Sequence, residues 1–357
     1  NENRCPMDRY DRQKRVQGGH DLDQKWADTS ILLVGIGGVG CPLAQALVRS
    51  GIGRLTLIDG DRVRDSDLHR QVLYTEQDAL SGLPKTTAAI DSLQEIGGRT
   101  ELIGVQEMLT PLNARKWIPK HDLVLDATDH IGVRSLIQQI SLETGIGWIH
   151  SGAIADRWVA ASFAPPGSPC YHCWVSPEAS KADLGTCETE GVLLASCMAA
   201  SAAVMRLLTE LLRSSSTTSA NETIASRKII RGSISEGEVL VDLYPDPDCP
   251  LCSSLEGWTS TLDQNLYPMR KLCGSGSLEA WLEVGIDEIK KRLKKNSEET
   301  ALKESPLSVR WAGEDGMITC FGDGRALITG KLALDETIAR DRLIQLLGTP
   351  PHHRTVT

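Results

Sequence analysis

The stretch VGIGGVG, residues 34–40, follows the apolar residues ILL and precedes the segment CPLAQALVRS. This order predicts a strand, a tight turn and a helix. Gly35, Gly37 and Gly40 fit the pattern G-x-G-x-x-G, and Asp59 follows at the end of a second predicted strand, LTLID. Glycines let the backbone approach a phosphate, and the helix N-terminus faces the phosphate charge. The stretch therefore predicts a nucleotide-binding unit, but the glycines alone do not identify the nucleotide.

Composition and charge restrict the class of protein. The chain has 357 residues, of which 41% are hydrophobic and 24% charged, as expected for a soluble globular protein with one large or two modest domains. The net charge of −9 argues against nucleic acid as a general partner. We interpret the apolar segment 191–212, which carries Arg206 and Glu210, as a core helix and expect no membrane span. With ten cysteines and no visible secretory signal, we expect a cytoplasmic protein.

The first half of the chain alternates predicted strands and helices. Strands are expected at 31–35, 55–59, 101–105 and 122–126, and helices at 41–50, 85–96, 110–117 and 131–144. This order predicts an α/β fold with a Rossmann-like, mainly parallel sheet and helices on both faces. Later strands are expected at 148–154, 158–164, 227–233 and 238–243.

The second half ends in a smaller unit. We predict a nucleotide-binding domain over 1–253, a linker over 254–276 and a small C-terminal α+β domain over 277–357. Within the last domain, the pattern predicts a helix over 278–295, three short strands and a closing helix over 334–347.

Two C-x-x-C pairs predict a metal site. Cys170 and Cys173 form the first pair, and Cys249 and Cys252 form the second. Four thiolates saturate a tetrahedral zinc ion, so such a knuckle pair is structural and holds two distant segments together. The alternatives are two unrelated pairs or redox-active thiols. His172 lies inside the first pair, but we do not expect it to be a ligand because four sulfurs already suffice.

Charged residues cluster in sequence near the glycine stretch. Asp59 and Asp61 are followed by Arg70 and Lys85. The fourth predicted strand, 122–126, ends in the segment DATD, whose last residue is Asp129. At the carboxyl edge of an open α/β sheet these residues converge. ATP chemistry needs cations on the phosphates and a carboxylate for magnesium, whereas a dehydrogenase needs little concentrated positive charge. The alternative is that Arg70 and Lys85 are solvated surface charges.

Several motifs in this order resemble those of the ThiF/MoeB/HesA family, which is related to the ubiquitin-activating enzymes. The matching segments are RYDRQ (9–13), the stretch 34–61, DLHRQ (67–71), LPK (83–85), DATD (126–129), PCYHC (169–173), TCETEGV (186–192) and DCPLC (248–252). The tail, with KLCG (271–274) and FGDGRALITG (321–330), is similar to that of the longer ThiF-type proteins. The resemblance covers nearly the whole chain.

The resemblance implies an ATP-dependent adenylyltransferase with ATP, Mg²⁺ and Zn²⁺. A carboxylate attacks the α-phosphate of ATP, an acyl-adenylate forms and pyrophosphate leaves. It implies that Gly38 approaches the phosphates, Asp59 holds the ribose and Asp129 binds magnesium, while Arg70 and Lys85 neutralise the phosphates. The full set of nucleotide-contacting residues that it implies is Gly35, Gly37, Gly38, Gly40, Asp59, Asp61, Arg70, Lys85, Asp129 and His130.

Four further positions matter for the comparison. The family implies that Arg12 reaches the active site of a second subunit, so we expect a homodimer. Cys187 matches a position where family members carry a reactive cysteine, and the alternative is an unreactive loop cysteine. Two positions depart from the family pattern: His130 replaces an asparagine, and Asp67 replaces an asparagine beside the phosphates. A carboxylate there is costly unless a cation or metal lies between it and the phosphates.

Three functions follow from these observations. The first is adenylation of the C-terminal glycine of a small ubiquitin-like sulfur-carrier protein, which the ThiF-like tail favours. The second is the same chemistry on a ribosomally made precursor peptide in antibiotic maturation, which the two departures favour. The third is an inactive binding scaffold that keeps the fold and the zinc.

Overall fold

The computed structural model describes residues 8–110, 112–129, 131–163, 169–175, 190–214, 228–249, 252, 267, 269–271, 276–282 and 284–348. This described part divides into two compact units, one built on each of two sheets.

The first unit is built on a mainly parallel sheet. Its strands are β1 (Ser30–Val34), β2 (Arg54–Ile58), β3 (Glu101–Val105), β4 (Leu123–Asp126), β5 (Gly147–Ile154), β6 (Arg157–Phe163), β7 (Lys228–Ser233) and β8 (Gly237–Asp242). Among the described residues, these eight strands pair in the order β3-β2-β1-β4-β5-β6-β7-β8. The first five are parallel, and the last three continue the sheet antiparallel. The predicted α/β fold with a mainly parallel sheet is confirmed.

Helices alternate with these strands. They are α1 (Asp11–Lys14), α2 (Gly19–Asp28), α3 (Gly40–Ser50), α4 (Glu76–Ser81), α5 (Lys85–Ile96), α6 (Ala114–Trp117), α7 (Ile131–Thr144), α8 (Tyr171–Trp174) and α9 (Leu194–Ser214). Residues 114–116 of α6 and 131–139 of α7 belong to the second unit. Helix α9 is long and apolar enough to cross a membrane by length and composition alone. It packs against β5, β6 and α3, and its residues Val204, Leu207 and Leu208 are buried in the main core. These contacts support the prediction of a core helix.

The predicted helix 110–117 is shorter than its pattern suggested. The backbone N–H of Thr110 donates to the side-chain oxygen of Asn113 at 2.9 Å, so a turn occupies the first residues and α6 begins only at Ala114. A 3₁₀ turn, Ile118–Lys120, then leads towards β4.

The second unit is built on an antiparallel sheet. Its elements are β9 (Met269–Lys271), β10 (Leu278–Trp281), α10 (Ile286–Asn296), β11 (Leu302–Glu304), β12 (Ser308–Gly313), β13 (Gly316–Phe321), β14 (Arg325–Gly330) and α11 (Glu336–Leu347). In the part of the chain that the structure describes, its six strands pair in the order β11-β12-β13-β14-β10-β9. The closing helix α11 is present, and the Asp335 carboxylate caps it by accepting the backbone N–H of Thr337 at 2.7 Å.

The predicted helix over 278–295 is wrong in its first part. Residues 278–281 form β10, in which Leu278 and Ala280 alternate into a core of their own unit. The helix begins only after Gly285, where Asp287 occupies the first turn and Lys295 the last, as the helix dipole favours. Period-two and helical spacing overlap in this apolar stretch, so periodicity alone did not separate them.

Candidate functional site

The glycine stretch forms a tight turn between β1 and α3. Gly35 has a φ of +86°, and a Cβ on Gly40 would lie 2.1 Å from the carbonyl oxygen of Gly35. A Cβ on Gly38 would lie 2.8 Å from the Sγ of Cys197 in α9. Gly37 is different, because no described atom lies within 4 Å of the position of its Cβ and its φ is not positive. Packing thus explains Gly35, Gly38 and Gly40, and it does not explain Gly37.

Asp59 follows β2 and fixes the shape of this turn. Its Oδ2 accepts the backbone N–H of Ile36 at 2.7 Å, and its Oδ1 accepts that of Asp61 at 2.8 Å. Burial raises the pKa of Asp59, although the charge of Lys85 and the two N–H donors act in the opposite direction. The hydroxyl of Tyr74 donates to the carbonyl oxygen of Ile36 at 2.7 Å. Both backbone groups of Ile36 are therefore hydrogen-bonded, the N–H to Asp59 and the carbonyl oxygen to Tyr74.

Lys85 is the first residue of α5 and points at acids. Its Nζ lies 3.2 Å from Oδ2 of Asp61, and its backbone N–H donates to the Asp61 carbonyl at 2.9 Å. Burial alone would lower the pKa of Lys85, but Asp59, Asp61 and Asp67 together raise it above its ordinary value. The side chain is buried and stays charged, so Lys85 is not a solvated surface charge.

Arg70 lies over the glycine turn and is held by Asp67. Its Cγ and Cδ would be 3.5 and 3.6 Å from a Cβ on Gly38. Its Nη1 donates to the Ser66 carbonyl at 2.7 Å, and its Nη2 lies 3.2 Å from Oδ1 of Asp67. The Asp67 carboxylate is buried and also accepts the side-chain amide of Gln71 at 2.8 Å. The acid that departs from the family pattern therefore has a cation beside it.

Asp126 ends β4 and is buried. Its Oδ1 accepts the backbone N–H and the hydroxyl of Thr128 at 3.0 and 2.7 Å, and its Oδ2 accepts Nδ1–H of His150 at 2.7 Å. Thr128 in turn packs on the glycine turn, with its Cγ2 3.1 Å from the Cβ position of Gly35. Asp129 comes next and is exposed, one residue before His130, which lies outside the described residues.

Arg12 is exposed on α1, and its neighbours anchor that short helix. The ring of Tyr10 is buried under the guanidinium of Arg99, whose Cζ lies 4.2 Å from the ring centroid. Gln13 donates to Oδ1 of Asp23 at 3.1 Å. The segment around Arg12 is thus fixed, while Arg12 itself faces outward. Cys187 lies outside the described residues.

The two cysteine pairs come together. The sulfur atoms of Cys170, Cys173, Cys249 and Cys252 all lie within 4.8 Å of one another. Zinc–sulfur bonds of about 2.3 Å in a tetrahedron separate the sulfurs by roughly 3.8 Å. The donor set and spacing are compatible with zinc. Cys41 and Cys197 are also buried, and burial raises the pKa of Cys41 to about 12.

Sequence reasoning missed several partners at this edge of the sheet. It assigned none to His150, although the register pairs Asp126 with His150 on adjacent parallel strands. Polar residues at aligned strand ends, in LVLD and GWIHS, carry that signal once the strand order is known. It also missed Tyr74 and the position of Cys197 beneath Gly38, because both depend on long-range packing.

The fold and the charged residues around the glycine turn together define a class of protein. It is an open α/β protein with a glycine-rich turn at the carboxyl edge of its parallel strands. The chain belongs to the ThiF family, which matches residues 10–250. The predicted family resemblance is confirmed.

Individual relatives agree with that assignment. The chain is 36% identical over 170 residues to the molybdopterin-synthase adenylyltransferase of Escherichia coli (strain K12), covering 47% of this chain and 67% of that protein. It is 25% identical over 331 residues to the sulfur carrier protein ThiS adenylyltransferase of Bacillus subtilis (strain 168), covering 90% and 94%. It is 37% identical over 168 residues to the adenylyltransferase and sulfurtransferase MOCS3 of Sus scrofa, covering 47% of this chain. The match spans only 36% of the MOCS3 length.

Solved structures share the fold. The E. coli MccB structure with MccA-N7isoASN has a TM-score of 0.58 and 19% sequence identity, and the match covers 71% of this chain and 76% of MccB. The E. coli MccB structure with ATP also has a TM-score of 0.58 at 19% identity, covering 70% of this chain and 75% of MccB. At this identity the likeness establishes the fold.

Proposed function

We propose that this protein is an ATP-dependent adenylyltransferase that activates a carboxylate and releases pyrophosphate. The observation that carries the proposal is that Arg70 and the buried, charged Lys85 lie close to the glycine turn and the acids beside it, and that no described atom lies within 4 Å of the Cβ position of Gly37. A triphosphate needs both cations and a close backbone approach. The names of the E. coli and B. subtilis relatives, both adenylyltransferases, support the same chemistry.

In the proposed reaction a carboxylate oxygen of the acceptor attacks the α-phosphorus of ATP. A new P–O bond forms, the bond to the bridging oxygen breaks, and pyrophosphate leaves with that electron pair. Gly37 and Gly38 let the backbone approach the phosphates, and Lys85 and Arg70 neutralise charge that develops on the leaving group. In this assignment Asp59 keeps the turn in shape through Ile36 while its carboxylate faces the ribose.

Magnesium fits the proposed site by the chemistry of its donors. Asp129 is an exposed carboxylate directly after a loop that packs on Gly35, and oxygen atoms are the ligands that Mg²⁺ prefers. When bound, the ion would neutralise charge on the phosphates. We propose that Asp129 holds it, and that His130, which follows, contacts the nucleotide.

The proposed acceptor is the C-terminal glycine of a ubiquitin-like sulfur-carrier protein. The ThiS adenylyltransferase of B. subtilis matches 90% of this chain, including its C-terminal part, which supports a carrier. A precursor peptide is the second candidate, because the MccB structures that share the fold include a complex with MccA-N7isoASN. We further propose one zinc per chain on the four cysteines and a homodimer in which Arg12 completes the partner's site.

ATP–pyrophosphate exchange tests the proposal. Purified protein with ATP, Mg²⁺ and labelled pyrophosphate should form labelled ATP only when an acceptor is present. A small protein that ends in Gly-Gly and a short peptide should be compared as acceptors, each beside a version without its terminal residue. Exchange with neither acceptor, together with no ATP binding by calorimetry, would refute adenylation and favour an inactive scaffold.

A further inference from the structure

A buried histidine and a buried carboxylate meet at the end of the parallel sheet. His150 on β5 and Asp126 on β4 are register partners, and both are buried. Nδ1–H of His150 donates to Oδ2 of Asp126 at 2.7 Å. Neither residue has a role in the reaction proposed above.

Aromatic rings fix the imidazole in place. The ring of His150 lies 6.4 Å from that of Trp148, 6.1 Å from that of Tyr171 and 5.9 Å from that of Trp174, measured between centroids. Tyr171 and Trp174 belong to α8, the short helix that begins after Cys170. A ring enclosed in this way keeps one orientation, so its Nδ1 stays directed at Asp126.

The carboxylate passes this constraint on to the loop beyond β4. With Oδ2 bound to His150, Oδ1 is directed at Thr128, where it accepts both the backbone N–H and the hydroxyl. Ala127 and Thr128 pack closely against Gly35: a Cβ placed on Gly35 would lie 3.0 Å from the carbonyl oxygen of Ala127. The backbone just before Asp129 is therefore held by one carboxylate, and one oxygen of that carboxylate is held by His150.

We propose that His150 is a positioning residue. Through its hydrogen bond to Asp126, and through the bonds of Asp126 to Thr128, it fixes the position of Asp129 and so the way in which Asp129 binds the magnesium of bound ATP. This inference rests on the proposed function. His150 does not touch the nucleotide in this scheme. It acts as the hydrogen-bonded partners of metal ligands do, whose loss costs about 10- to 100-fold in metal affinity or activity.

Substitutions at position 150 separate the hydrogen bond from the volume of the ring. In His150→Asn, the amide nitrogen takes the place of Nδ1 and can still donate to Asp126. In His150→Gln, the amide nitrogen takes the place of Nε2, so this donor is lost while a polar side chain remains. His150→Leu removes both nitrogens.

The matched control is His121→Leu. His121 is equally buried and lies before the other end of β4, where its nitrogens contact the Thr56 hydroxyl at 2.7 Å and the Trp117 carbonyl at 2.9 Å. Its loss should lower the melting temperature as that of His150 does, but it lies at the edge opposite the glycine turn.

The measurement is ATP binding by calorimetry with Mg²⁺ and with EDTA, beside the kinetics of exchange. In His150→Leu and His150→Gln we expect ATP affinity in EDTA within about threefold of the wild type, and a loss of roughly tenfold in the strengthening by Mg²⁺. The kcat of exchange should fall by a similar factor with little change in the KM for ATP. His150→Asn should retain most of both quantities, and His121→Leu should retain both.

Equal Mg²⁺-dependent strengthening in wild type, His150→Gln and His150→Leu would overturn the inference, as would the same loss in His121→Leu. If His150→Leu does not fold, the contrast between His150→Asn and His150→Gln decides alone. A wild-type protein that binds no ATP would instead refute the proposed function, so the two failures are distinguishable.

Discussion

Replacing Gly37 and Gly40 one at a time separates what the glycine turn does for a ligand from what it does for the fold. In Gly37→Ala the new methyl group meets no described atom within 4 Å, and the φ of residue 37 is not positive. Stability should therefore stay within about 0.5 kcal/mol of the wild type. In Gly40→Ala the methyl group would lie 2.1 Å from the carbonyl oxygen of Gly35, so the backbone must move. Overpacking of this kind costs about 1–3 kcal/mol.

For ATP binding we expect the opposite order, with the larger effect in Gly37→Ala. If the backbone at Gly37 approaches a phosphate, a methyl group there pushes the phosphate out, and we expect at least a tenfold rise in the Kd for ATP, or about 1.4 kcal/mol. Thermal melting without ligand reports the first effect, with roughly 2–4 °C lost per kcal/mol for a domain of about 150–250 residues. Calorimetry with a non-hydrolysable ATP analogue reports the second. A Gly37→Ala protein that binds ATP as tightly as the wild type would refute the close approach, and an unchanged Gly40→Ala melting temperature would refute the packing argument.

Three further outcomes are expected. Cys249→Ser should lose zinc and thermal stability together, since structural zinc contributes on the order of 10 kcal/mol in zinc-finger peptides; a metal-free variant of wild-type stability would contradict the site. Arg12→Ala and Asp129→Ala should each cut pyrophosphate exchange, the second roughly a hundredfold. Mixed dimers of the two should regain activity because one site is then intact, and no recovery would count against a shared site. Cys187→Ser should leave adenylate formation unchanged, as measured by exchange; loss of exchange in a folded protein would place Cys187 in the nucleotide site.

Much of the first unit could be predicted because its pattern is local. Apolar runs before Gly35 and Asp59 predicted β1 and β2, and the helix predicted over 85–96 is α5. Two C-x-x-C pairs were enough to predict that four sulfurs meet.

The partners of the charged residues could not be predicted in the same way. The contact between His150 and Asp126 joins residues that are 24 positions apart, and it exists only because β4 and β5 are neighbours in register. The spacing of residues along the chain does not reveal the order of the strands in the sheet. Asp67 posed the opposite difficulty: the sequence showed an acid where an amide was expected, but not that Arg70 would bond to it. The energetic cost of a carboxylate at position 67 depends on the distance to its neighbours, and those neighbours are known only from the folded chain.

The pairing of Asp67 with Arg70 has a consequence for selectivity among anions. An anion that reaches Arg70 must displace or share a carboxylate that is already within 3.2 Å of the guanidinium. A weakly held monoanion such as chloride gains too little from one arginine to compete with an internal, buried acid whose other hydrogen bonds are satisfied. A polyphosphate that contacts the turn, Lys85 and Arg70 at once can compete, since its several contacts act together. If the proposed function holds, the Asp67 carboxylate competes with every anion for Arg70, and it therefore favours a ligand whose further contacts outweigh that competition.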